Sequence, residues 1–88
     1  MLQRSATAVS RRLDDRTVVV NLETNQIFQL NHTASALWEL VDGRRDRDEI
    51  ERALVSEFAA EAPQVAGDVD RILGELAARG LTSDDGHD

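Results

Sequence analysis

The chain has 88 residues, with seventeen Asp and Glu against ten Arg, no Lys and no Cys, for a net charge of −7. That length suits one small domain with a single modest core, and without cysteine there is neither a disulfide framework nor a thiolate metal site. The acidic balance repels phosphate backbones and disfavours nucleic acid as a partner. No run of about 18 apolar residues is present to span a membrane, and Met1-Leu2-Gln3-Arg4 lacks the apolar stretch of a secretory signal. Cytoplasm is the default compartment on this reading.

Residues 1–6 carry no pattern and are expected to form a flexible N-terminus, ahead of a folded domain over 7–81. Thr7 to Leu13 has modest strand character, with Thr7, Val9, Arg11 and Leu13 on one side, and Asp14-Asp15 is turn chemistry. The β-branched run Val18-Val19-Val20 suits a central strand. The polar turn Glu23-Thr24-Asn25 then leads into a third strand, Gln26-Ile27-Phe28-Gln29-Leu30. Alternation turns Phe28 and Leu30 to one face and Ile27 and Gln29 to the other. The outer edge of this strand is left with unpaired N–H and C=O groups, which can serve as a rail for an extended peptide.

Asn31 is a good N-cap, and Ala34, Leu37, Trp38 and Val41 form a helical stripe that Gly43 is placed to end. A second helix starts at Asp46, which with Glu49 makes an acidic capping box; its stripe is Ile50, Ala53, Leu54 and Phe58, and Pro63 marks its stop. A third follows, with Val65, Val69, Ile72, Leu73 and Leu76 on one face, closing at Arg79-Gly80. Residues 82–88 read as a disordered acidic tail. The order predicts an α+β fold, a three-stranded antiparallel sheet followed by three helices.

Chemistry is sparse. His32 and His87 have no second ligand at metal spacing, and Ser10, Ser35, Ser56 and Ser83 have no histidine base beside them. There is no Gly-rich phosphate loop. No catalytic residue, metal or cofactor is expected, so recognition is the better reading than enzymatic activity.

The run from Val18 through Phe28-Gln29-Leu30-Asn31, continuing by Ala34 and Leu37-Trp38-Glu39-Leu40 to Asp42-Gly43, resembles the PqqD-like family. Ile50, Ala53-Leu54, Phe58, Val65, Asp68-Val69 and Leu73 to Leu76 running into Arg79-Gly80-Leu81 agree with it. These are the recognition elements of ribosomally made, post-translationally modified peptide pathways, and the implied fold is similar to a winged helix-turn-helix. The resemblance implies a non-catalytic adaptor that takes the leader of a precursor peptide as a further β-strand. The peptide-binding residues it implies are Gln26, Ile27, Phe28, Gln29 and Leu30 on the strand and Val69, Ile72, Leu73 and Leu76 on the third helix. Asp68 and Glu75, flanking Ile72, would meet polar or basic leader residues; the plainer alternative is a solvated shoulder with Glu75 paired to Arg79.

Members of the family serve several pathways. The strand pattern is closer to the lasso peptide subgroup, whose members present the precursor to a leader peptidase, than to the subgroup that works beside a radical SAM enzyme in pyrroloquinoline quinone biosynthesis. A winged-helix DNA-binding protein is the reading from another class, and Asp68, Asp70 and Glu75 on the third helix oppose it. A homodimer through the exposed strand is a further possibility.

Overall fold

In the computed structural model, which describes residues 1–84, the chain runs β1 (Leu2–Arg4), β2 (Ala8–Leu13), β3 (Arg16–Asn21), β4 (Gln26–Leu30), α1 (His32–Leu40), α2 (Arg47–Phe58), α3 (Ala62–Ala78) and β5 (Thr82–Asp84). The valine-rich β3 is central in an antiparallel sheet of order β2-β3-β4, as its branched side chains predict. The two hairpins turn at Asp14 and Asn25, whose φ angles of 57° and 61° lie in the left-handed region that short polar residues tolerate. Cross-strand register sorts the sheet into two faces. Ser10–Val19–Phe28 and Arg12–Thr17–Leu30 form rows on the inner face, and Val9–Val20–Ile27 is a row on the outer one. Val19 is fully buried, while Ile27 is 70% exposed.

The helices cover the inner face because their stripes are apolar there. Asn31 Oδ1 accepts the Ala34 N–H at 2.9 Å and starts α1, whose Leu37 and Trp38 are buried. The capping box of α2 is complete: Asp46 Oδ1 accepts from Glu49 N–H, and Glu49 Oε1 accepts from Asp46 N–H. Val65, Val69, Ile72, Leu73 and Leu76 of α3 are all buried. One expected boundary moves. The second helix ends at Phe58 with Ala59 in the left-handed conformation, φ 50°, and Pro63 lies in the first turn of α3. Proline there lacks only an N–H that the helix start would leave unpaired, so it opens a helix instead of closing one.

The expected flexible N-terminus is a strand. β1 pairs antiparallel with β5, Leu2 opposite Asp84 and Arg4 opposite Thr82, so the stretch read as an acidic tail is structured as far as residue 84; residues 85–88, His87 among them, lie outside the described residues. The physical reason is burial and main-chain pairing. Leu2 and Leu81 join the core, the Gly43 N–H donates to the Leu2 carbonyl at 2.9 Å, and the Ser5 N–H donates to Leu81 at 2.9 Å. Arg4 stacks 4.7 Å over the Trp38 ring and donates through Nη2 to the Trp38 carbonyl at 2.8 Å. Among the described residues, no helix is long and apolar enough to cross a membrane.

Candidate functional site

β4 has β3 on one side and, among the described residues, no strand on the other. β5 pairs with β1 in a separate two-stranded sheet. The two rims of the sheet differ in chemistry. β2 carries Arg11 and Arg12, with Arg12 reaching Glu39 at 3.4 Å, and charges of this kind discourage strand addition. β4 carries none: its five residues are Gln26, Ile27, Phe28, Gln29 and Leu30. Its C-terminal end is fixed, since Leu30 is buried and its carbonyl accepts the hydroxyl of buried Ser35 at 3.2 Å.

α3 reaches β4 at its C-terminal end, where Arg79 meets Phe28. Asp68, Ile72, Glu75 and Arg79 follow at helical spacing (i, i+4, i+7, i+11) and fall on one side of α3 and its cap. Arg71 bridges the two acids, 3.8 Å from Asp68 and 3.6 Å from Glu75, with all three side chains well exposed. The expected Glu75–Arg79 pair is therefore replaced. Arg79 instead lies 4.8 Å over the Phe28 ring, and its carbonyl accepts from Asn21 Nδ2 at 2.9 Å. At the other end of the row, a cavity of about 170 Å³ opens between the three helices, lined by Thr33, Leu54, Phe58, Val65, Asp68 and Ile72 among others. Phe58 there meets His32 edge to face at 5.4 Å.

Phe28 is half-buried on the inner side of β4, beneath Arg79. Ile27 and Gln29 are exposed on the opposite face, so a partner on the α3 side meets their main chain and not their side chains. Ile72 is 4% exposed and Val69 and Leu76 are at most 1% exposed, which makes these α3 residues core. Leu73 is on the other side of the helix, where a cleft is lined also by Leu2 and Thr82; the structure does not bring it to the groove. Asn21 and Arg79 join the β3–β4 hairpin to the end of α3; from sequence Asn21 was not singled out, and Arg79 was read only as the helix end and a partner for Glu75. The signal for Arg79 was its position one helical turn beyond Glu75; Asn21 lay hidden as one more polar residue before a turn.

The region offers main-chain groups, an aromatic ring, two acids bridged by Arg71, and the guanidinium of Arg79. Among the described residues no group of three or more His, Cys, Asp or Glu is placed to hold a metal ion. Displaced pKa values occur elsewhere. The Asp70 carboxylate, and then that of Glu51, raise Arg47 above its ordinary value, and these residues lie beside the cleft near β5 or on α2. Asp42 is lowered, first by the Arg44 N–H.

Two solved structures share the fold. TbiB1 in complex with the TbiA(beta) leader peptide is 29% identical, with a TM-score of 0.86 over 98% of both chains. A lasso peptide synthetase B1 complexed with the leader peptide is 17% identical, with a TM-score of 0.82 over 94% of this chain and 98% of that one, and at this identity it speaks for the fold alone. No curated protein matches. The family model of coenzyme PQQ synthesis protein D (PqqD) matches residues 16–81, a span that holds β3, β4 and all three helices, and the chain belongs to the PqqD family.

Proposed function

We propose that this protein is a non-catalytic adaptor that captures the leader of a ribosomally made precursor peptide and presents it to a leader peptidase in lasso-type biosynthesis. The leader joins the sheet as a strand beside β4, in the groove walled by the Asp68–Ile72–Glu75 side of α3. The observation that carries this reading is the uncharged edge of β4, which among the described residues has no strand beside it, while β1 and β5 pair with each other. Main-chain bonds give such an interface affinity, and side-chain contacts give it selectivity. The likeness to TbiB1, whose structure includes a leader peptide, supports it. Gln26 to Leu30 act chiefly through their backbone. Phe28, Asp68 and Glu75 shape the groove, and buried Val69, Ile72 and Leu76 hold the wall in place.

Ile72 is too deeply buried for a charged substitution to report on binding alone, so the test is made on the peptide. Titration calorimetry with the precursor's leader should give one-to-one binding. Proline placed along the paired stretch removes one donor at a time. Positions whose N–H points at β4 should lose about 0.5–1.5 kcal/mol each, and the intervening positions less, since pairing repeats every second residue. A flat proline profile, or no binding, would exclude strand addition.

A further inference from the structure

Arg79 closes the α3 row at the point where it reaches across to β4. Its guanidinium carbon is 4.8 Å from the centroid of Phe28, and its backbone is held at both ends: the N–H bonds to the Glu75 and Ala77 carbonyls, and the carbonyl accepts from Asn21 at 2.9 Å. No carboxylate pairs with it among the described residues, although the chain has seventeen. Glu75, one turn earlier, is engaged by Arg71 at 3.6 Å. A cation held over a ring meets no counter-charge there, and the planar N–H fork of a guanidinium matches a carboxylate. The Phe28 contact also places the guanidinium beside β4 before any partner arrives, which lowers the ordering cost of using it.

We infer that Arg79 is a specificity-determining residue of the groove, binding a carboxylate side chain of the strand seated along β4, near Phe28. The inference rests on the strand-addition reading. In a chain of net charge −7 a general attraction for acidic peptides is absent, so one fixed cation discriminates by position. Side chains on one face of a strand recur about every 7 Å, and a peptide slipped by two residues carries its carboxylate out of the fork's reach. Arg79 thereby sets register as well as preference.

The experiment measures the affinity of the precursor's leader peptide and of its single Glu→Gln and Asp→Asn versions for the wild-type chain, Arg79→Gln and Arg79→Lys. One acidic position should cost roughly five- to tenfold in Kd when neutralised against wild type. The same change should cost almost nothing further against Arg79→Gln, and an intermediate amount against Arg79→Lys. Binding to wild type should also weaken more steeply with salt than binding to Arg79→Gln. The Asn21 bond goes to a backbone carbonyl and survives both substitutions; matched melting curves check this. The inference is overturned if no acidic position matters, or if neutralisation costs the same on every background, for then Arg79 only covers Phe28. A leader that fails to bind wild type at all defeats strand addition itself, whereas alternating proline sensitivity with an indifferent Arg79 defeats this inference alone.

Discussion

At Asp42 one exposed carboxylate organises the turn that receives β1. Its Oδ1 accepts the Arg44 N–H at 2.9 Å and its Oδ2 meets Arg45 Nη1 at 2.6 Å. The neighbouring Gly43 N–H and Arg45 carbonyl bond to the main chain of Leu2. The Arg44 N–H, and then the charge of Arg45, hold the carboxyl below its ordinary 3.8. A pKa lowered by folding contributes stability that is complete above the unfolded value and is lost as pH falls through the folded one. Asp42→Asn should therefore destabilise the protein at neutral pH, and its deficit against wild type should shrink below about pH 4, followed by urea titrations across that range. A constant deficit would mean that the carboxylate's charge is irrelevant to the turn. The same scale shows where sequence reading stops. Alternation placed Phe28 and Leu30 correctly, but a guanidinium over a ring joins Arg79 to Phe28 through space, and no local spacing encodes that.

Among the elements, those with a chemical start signal were legible. Asn31 and Asp46 cap the helices that periodicity predicts, and three adjacent valines mark the central strand. The end of α2 was not legible, because alanine favours helix and Ala59 gives no sign of stopping one. Its φ of 50° nevertheless places a Cβ in the region where glycine is at home. Ala59→Gly should accordingly stabilise the chain by about 1 kcal/mol, read as a raised melting temperature, while destabilisation would show that the Ala59 methyl packs better than the turn is strained.

At the scale of the molecule, the three-stranded sheet and three helices could be read from sequence, whereas the β1–β5 ribbon could not. Each of its strands has three residues, too few for a period to show, and its partners come from opposite ends of the described chain. Burial of Leu2 is what anchors it. Leu2→Ala should cost roughly 2–3 kcal/mol, measured by the fluorescence of Trp38, the single tryptophan, which lies under Arg4. Leader affinity should be unchanged in that variant wherever it remains folded, because β4 makes no pairing with the ribbon.

Among the described strand pairings, the ribbon joins the positions furthest apart in sequence. Its strands have three residues each and few main-chain bonds, so its amide hydrogens are expected to exchange before those of the three-stranded sheet. Peeling of this ribbon would uncover the Leu73 side of α3 and leave the Arg79 side standing, so such an opening would spare the rim of β4.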